Sequence, residues 1–255
     1  MENSSNIITS IENGIQTIMF NRPKKKNALS IAMYRELKTV LNNAANNNDI
    51  RMVVVTGSGA FFSSGNEISF SNDGDGLGVE SMIETYKQFM DCLITFPKLL
   101  VAIVNGPAVG ISVTMLPHFD IVYASDQAYF TTPFTKLGLI AEGCSTYTFP
   151  RIMGNSKAGD MLYMGYKMNA REAKQYGLVS DIYPADNVND VWAYFKQVSE
   201  LSAESILVTK RLVKKWNEKV LLQINAEEAA ELVKRVQSPD LIERYLQFMS
   251  RKNKL

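Results

Sequence analysis

Two runs of consecutive apolar residues, "MVVVTG" from Met52 and "LLVAIVNG" from Leu99, constrain this chain more than any other feature. Each reads as a buried strand, rich in β-branched residues and closed by glycine. Between them a helical pattern runs from about Glu80 to Phe96, where Pro97 ends it. Strand, helix, strand in that order needs a crossover and so predicts parallel pairing. With 255 residues and 46% apolar content, the chain can bury one substantial core, or a core plus a small appended subdomain.

The flanking segments extend this α/β reading. "IITSI" and "IQTIMF" are short β-prone runs split by "ENG", a hairpin turn. After "NRPKKKNALS", Met33, Leu37, Val40 and Leu41 recur at helical spacing. From Asn155 onward no strand core is expected: "DVWAYFKQVSEL", "AESILVTKRLVKKW" and "LLQINAEEAAELVKRVQ" read as amphipathic helices, and Ser238 with Pro239 signals one more helix start. The predicted division is an α/β core over residues 1–200 and a helical region over 201–255, with no internal repeat or low-complexity linker.

Charge and composition exclude several function classes. Lys and Arg total 27 against 26 Asp and Glu, so there is no global field to attract nucleic acid or an anionic membrane. No apolar stretch reaches the about 18 residues of a membrane span. "MENSSNIITS" lacks a signal peptide's basic start and apolar middle, so the N-terminus is expected to stay inside the cell. Cys92 and Cys144, with the single histidine His118 and no CxxC, do not make a zinc site, and both thiols are expected to be buried as small apolar groups.

Local look-alikes also fall away. "DGDGLGVESMIE", Asp73 to Glu84, copies a calcium loop except at its fifth position, where Leu77 has no oxygen to offer; it reads as a surface loop or lid. GxGxxG and GxxxxGK are absent. His118, in "LPHFD" beside Pro117 and with no GxSxG elsewhere, reads as a structural histidine rather than a triad member. "KRLVKKW" reads as a solvated helix face.

Two glycine turns remain. "FFSSGNEISF" follows the first buried strand, and "NGPAVGISVTM" follows the second, with a helix of small residues, Ala108, Gly110 and Ser112. Small side chains there let backbone N–H groups approach a ligand, and two such turns can give two donors to one oxygen. Taken singly, each turn is explained equally well by tight helix packing.

In order along the chain, "NRPKKKNALS", "VVVTGSGAFFSSGNEI", "VAIVNGPAVGISV", "FDIVYASDQAYFTTPFTKLGLIAEGCSTYTFPRIMG" and "AREAKQYGLVSDIYP" resemble the signature segments of the crotonase, or enoyl-CoA hydratase/isomerase, superfamily. Within it the resemblance is to the peroxisomal type of Δ3,Δ2-enoyl-CoA isomerase. It implies a crotonase-like spiral of ββα units with a C-terminal helical region, assembled as trimers or dimers of trimers, with a CoA thioester as substrate and neither metal nor redox cofactor.

The resemblance also implies site residues. Asn66 N–H and Ile111 N–H would form an oxyanion hole for the thioester carbonyl. The two glutamates of the family's hydratases fall on Thr114 and Phe134, which cannot act as bases. Glu142, in "LGLIAEGCSTY", matches the catalytic base of the peroxisomal isomerases, although on spacing alone it is a first-turn glutamate stabilising a helix that begins near Gly143. An apolar setting could raise its pKa usefully.

For the CoA moiety the resemblance points to Lys24, Lys25 and Lys26, to Ser64, and to Phe248 and Lys252 in "FMSRKNKL", a solvated turn being the plainer reading of any single lysine. Asn253, Lys254 and Leu255 resemble a peroxisomal SKL address, which implies an import receptor as partner and the peroxisome before cytosol or mitochondrion. Two other function classes stay open: a hydratase with a different base, and a crotonase-like module that only binds acyl-CoA or a protein.

Overall fold

The computed structural model describes residues 5–67, 79–198, 200–241, 243–244 and 247. The loop portion of the calcium look-alike (73–78), Phe248, Lys252 and the terminal tripeptide lie outside the described residues.

The first hairpin forms as its sequence predicts: β1 (Ile7–Glu12) pairs antiparallel with β2 (Ile15–Phe20). Asn13 and Gly14, with φ of 52° and 77°, make the two-residue turn whose twist suits a hairpin. Next come α1 (Ile31–Asn46), capped by the Ser30 hydroxyl on Met33 N–H, then β3 (Met52–Gly57), α2 (Val79–Thr95) and β4 (Leu99–Val104). Strands β2, β3 and β4 are parallel neighbours, as the crossover requires. Beyond them are β5 (Ala108–Val109), α3 (Ile111–Thr114), β6 (Ile121–Ser125), β7 (Tyr129–Thr131), α4 (Ser145–Leu162), β8 (Met168–Asn169), α5 (Ala170–Gln175) and β9 (Asp181–Tyr183). Then come α6 (Val188–Val198), α7 (Ala203–Lys214) and α8 (Glu218–Val236), and among the described residues helical backbone resumes at 239–241.

The main sheet has the order β1-β2-β3-β4-β6-β9, and a smaller sheet has the order β5-β7-β8. Two isolated parallel bridges, Leu29 with Asn66 and Ser63 with Ala108, continue the small sheet's pairing back along the chain. Thus β2 is followed by Leu29, β3 by Ser63–Asn66, β4 by β5 and β6 by β7, and each second-layer segment pairs with the next. A strand in the main sheet, a short strand in the second layer and a helix make one turn, and successive turns stack into a spiral of ββα units.

The period of two along buried strands sorts side chains onto two faces. Val53, Val55, Leu100, Ala102 and Val104 join a core with Met33, Leu37, Leu41, Phe89 and Leu93 from α1 and α2. Met52, Val54, Val101 and Ile103 face the other way, onto Val191 and Phe195 of α6. Each such aliphatic or aromatic side chain contributes roughly 1.5–3 kcal/mol by leaving water.

Four expectations need correction. Of the two thiols expected to be buried, Cys144 is, but Cys92 is only half-buried. The region after Asn155 does contain strands, β8 and β9, but at two and three residues they are too short to show a period. The small-residue stretch after Pro107 is first a strand, β5, and only one turn of helix, because Val109 N–H is drawn to Ser63 O and Gly110 N–H to Thr131 O. Lys210 of "KRLVKKW" is not solvated: it is buried and donates to Lys98 O and to Asp120 Oδ2.

Candidate active site

The spiral places chemically distinctive residues at one recurring position, just past the second-layer strand of successive turns. Asn66 follows one such strand and Ile111 the next. In the Leu29–Asn66 bridge the donors and acceptors used are Leu29 N–H to Gly65 O and Glu67 N–H to Leu29 O. Asn66 N–H is therefore turned away from its bridge partner, and among the described residues it donates to no backbone oxygen. Ile111 N–H, the first of α3, likewise has no backbone acceptor among them.

Glycine brings the two turns into contact. Gly65 has φ of +85°, and a Cβ there would stand 2.5 Å from Val109 O. Gly110 has φ of 62° and ψ of −126°, a combination open to glycine alone. The peptides of Asn66 and Ile111 consequently flank a van der Waals contact between Gly65 and Val109–Gly110.

Glu142 lies in a turn closed by Ser145 N–H to Glu142 O (3.2 Å), with Gly143 and Cys144 both at positive φ, 70° and 61°. Its side chain is buried and points to the Asn66 loop: Asn66 Nδ2 donates to Glu142 Oε1 at 3.4 Å. Tyr34 of α1 fixes that carboxamide by donating its hydroxyl to Asn66 Oδ1. Glu142 thus does not cap α4, which is the role its spacing alone suggests. The orphan N–H groups there, Cys144 (2.7 Å) and Thr146 (3.1 Å), go instead to the carboxylate of Glu228 in α8.

Burial pushes the Glu142 pKa up to about 8, with the nearby Glu228 charge acting in the same direction and the facing Tyr86 hydroxyl acting against both. Tyr86 Oη is itself buried and makes no hydrogen bond of ordinary geometry among the described residues. Burial, and then the charge of Glu142, raises the ionisation of Tyr34 and Tyr86 well above the usual phenol range. Both stay neutral donors.

Thr114 and Phe134 border the same region. A Cβ on Gly143 would meet Thr114 Oγ1 at 2.5 Å, and one on Gly110 would meet Phe134 Cε1 at 3.9 Å. His118 is buried with its pKa lowered to about 4, chiefly by burial. Its Nε2 contacts Gly143 O at 3.0 Å and must be the donor, since a carbonyl only accepts. The histidine therefore braces the Glu142 turn as a neutral group.

The basic loop adjoins this site. Ser64 N–H donates to Lys26 O at 2.9 Å, so Ser64 and the lysines share one rim. Lys24, Lys25 and Lys26 are all exposed; Lys25 pairs with Glu67 at 2.6 Å, and Lys26 lies 5.1 Å from the centre of the Phe61 ring. Glu67 also takes a two-pronged contact from Arg22 (2.7 and 3.0 Å), and the Arg22 bond most of all holds its carboxyl below the usual range. This pair anchors the residue next to Asn66.

Sequence reading missed Tyr34, Tyr86, Arg22 and Glu228. For Glu228 a signal existed: Asn225, Glu228 and Leu232 share one helical face, and two polar residues on a buried stripe ask for partners. A separate cleft of about 690 Å³ lies beneath α7, lined by Ile94, Phe119, Ile206, Lys210, Val213 and Leu221 among others. It contains none of Glu142, Asn66 or Ile111.

Strands in two layers, wound as stacked ββα turns, define the crotonase fold. Comparison with known proteins agrees. A crystal structure of an enoyl-CoA hydratase/isomerase from Pseudoalteromonas atlantica T6c superposes with a TM-score of 0.89 at 29% identity, covering 97% of this chain and 98% of that one. The sequence pattern of the enoyl-CoA hydratase/isomerase family matches residues 10–249. Enoyl-CoA delta isomerase 3, peroxisomal, of Mus musculus is 43% identical over 255 residues, 98% of this chain and 80% of its own length. Enoyl-CoA delta isomerase 2 of Homo sapiens is 43% identical over 254 residues, and this chain spans 64% of its length. The chain belongs to the enoyl-CoA hydratase/isomerase family.

Proposed function

We propose that the chain is a Δ3,Δ2-enoyl-CoA isomerase that converts 3-enoyl-CoA to 2-trans-enoyl-CoA with Glu142 as its one acid/base group. The observation that carries this reading is the buried Glu142 carboxyl, with a pKa of about 8, beside the Asn66 and Ile111 turns. Asn66 N–H and Ile111 N–H hold the thioester oxygen. As charge moves onto it, both bonds strengthen, and losing one such donor raises a barrier by about 3 to 4 kcal/mol.

In the reaction, Glu142 removes a proton from C2, the electrons delocalise over the dienolate, and the protonated Glu142 returns the proton to C4. One carboxylate on one face of a bent substrate suffices. Adding water to a double bond would ordinarily use a second carboxylate, yet Thr114 and Phe134 cannot supply one, and Glu228 is already engaged with Cys144 and Thr146. No metal or redox group takes part. The names of the mouse and human relatives support an isomerase over the hydratase and binding-module readings.

The exposed lysines 24–26 meet the CoA phosphates as mobile charges, with Ser64 on the same rim and Phe248 and Lys252 as further contacts. The peroxisomal name of the mouse relative supports peroxisomal import through Asn253, Lys254 and Leu255. Copies associate through the C-terminal helices as trimers or dimers of trimers. The test of the activity is an assay of the purified chain on 3-hexenoyl-CoA beside crotonyl-CoA. Isomerisation well above hydration is expected, and hydration at a comparable rate would point to the hydratase reading.

A further inference from the structure

Glu142 sits on a turn whose own hydrogen bonds, from Ser145 N–H (3.2 Å) and the Ser145 hydroxyl (2.6 Å), reach only the Glu142 backbone oxygen. Two successive residues, Gly143 and Cys144, occupy the left-handed region, which strains a non-glycine residue such as Cys144. The turn leads directly into α4, whose N-cap residue, Cys144, offers no side-chain cap. An uncapped helix start beside a strained turn would fray, and the base would move with it.

His118 braces the turn at Gly143 O, and its N–H groups at Cys144 and Thr146 are secured from α8, more than eighty residues away in sequence. The buried Glu228 carboxylate accepts from Cys144 N–H (2.7 Å), Thr146 N–H (3.1 Å) and the Thr146 hydroxyl (2.6 Å). Its helix is in turn fixed to α2 by Asn225, which donates to Lys87 O (3.0 Å) and Asp91 Oδ1 (2.8 Å). Cys144 Sγ adds a contact to Leu221 O of the same helix at 3.3 Å.

We propose that Glu228 is a positioning residue for Glu142, reaching from α8 to cap α4 and so fixing the turn that presents the base. This rests on the reading of Glu142 as the base. Glu228 touches neither substrate nor reacting atoms in this scheme and acts through the turn and through its charge.

The groups facing Glu142 are Tyr34 from α1, Tyr86 from α2, Asn66 from the oxyanion loop, Cys144 from its own turn and Glu228 from α8. The tyrosines and the cysteine are neutral at physiological pH, because burial raises all three. Burial raises the Glu228 carboxyl as well, but the Thr146 and Cys144 donors act against this and favour its ionised form; as the anion it makes Glu142 the stronger base.

Replacing Glu228 tests both effects in the full chain. Glu228→Gln keeps the shape, removes the charge and turns an amide N–H toward donors. The expected result is a folded protein that still binds acyl-CoA, with kcat for 3-hexenoyl-CoA down by about tenfold or more. The rising limb of kcat/KM against pH should move to lower pH, since Glu142 loses a like-charged neighbour; a purely structural role would not move that limb. Glu228→Asp, which keeps the charge but shortens the reach, should lower kcat while leaving the limb in place.

A folded Glu228→Gln with wild-type kcat and limb would overturn the proposal. Should Glu228→Gln not fold, Thr146→Val removes a single donor: a several-fold fall in kcat with KM nearly unchanged supports the clamp, and wild-type kcat rejects it. Glu142→Gln, run in parallel, separates the two layers of the reading. If that variant keeps its turnover, the base assignment fails, whereas an inactive Glu142→Gln beside a fully active Glu228→Gln removes only the positioning role.

Discussion

With burial and the Glu228 charge acting together, Glu142 ionises near pH 8 rather than in the ordinary carboxylate range, and this has two measurable results. Only the ionised form can accept the C2 proton, so kcat/KM should rise with pH through an apparent pKa near about 8. A flat profile between pH 6 and pH 9, roughly a unit or two either side of that value, would contradict the assignment. Stability should show the opposite trend. Between about 4.5 and about 8 the folded chain keeps a proton that the unfolded chain releases, so the Glu142 contribution falls as pH rises through that window. Glu142→Gln removes the penalty: urea unfolding should show it more stable than wild type above pH 8, by an amount on the order of a few kcal/mol, with the difference vanishing near pH 4. A pH-independent difference would mean that Glu142 is not held in this way.

At the scale of elements, the contact between the two glycine turns is what the oxyanion assignment depends on. Gly65→Ala places a Cβ 2.5 Å from Val109 O at a φ of +85°, so either Asn66 or the Val109–Ile111 turn must move. A loss of about 1–3 kcal/mol in stability is expected, together with at least a tenfold fall in turnover, read by thermal melting and the isomerase assay. Unchanged turnover in a folded Gly65→Ala would remove this pair of donors from the mechanism. Elements were legible in the sequence wherever a local rule governs them. The "MVVVTG" and "LLVAIVNG" strands, the Asn13–Gly14 turn and the helix ending before Pro97 each carry their own signal. Strands β8 and β9 do not, because partners rather than propensity create them.

The site shows the same division. Asn66, Ile111 and Glu142 could be proposed because the signature segments resemble those of a known family, while Tyr34 carried no signal and Glu228 only that of a polar residue on a buried helical stripe, with no partner named. Tyr34 meets Asn66 across 32 positions and Glu228 meets Cys144 across 84, contacts that exist only once the spiral has closed.

For the molecule as a whole, the face formed by the C-terminal helices is unusual for a surface. Leu212, Val213 and Trp216 are 54%, 68% and 76% exposed, beside the cleft of about 690 Å³ beneath α7. An apolar face of this kind is expected to be covered by another copy. Sedimentation equilibrium at micromolar concentration should therefore show a trimer or a dimer of trimers, and Val213→Glu with Trp216→Glu should dissociate it. A stable wild-type monomer would contradict this. The proposed mechanism rests on one buried carboxylate, Glu142, and its replacement is the most direct measurement. Glu142→Gln retains size and one hydrogen-bonding oxygen but cannot take a proton. Acyl-CoA binding should survive, while isomerisation of 3-hexenoyl-CoA and solvent-deuterium exchange at C2 fall together by roughly 10² or more. A folded Glu142→Gln that binds acyl-CoA and isomerises at close to the wild-type rate would show that the base lies elsewhere.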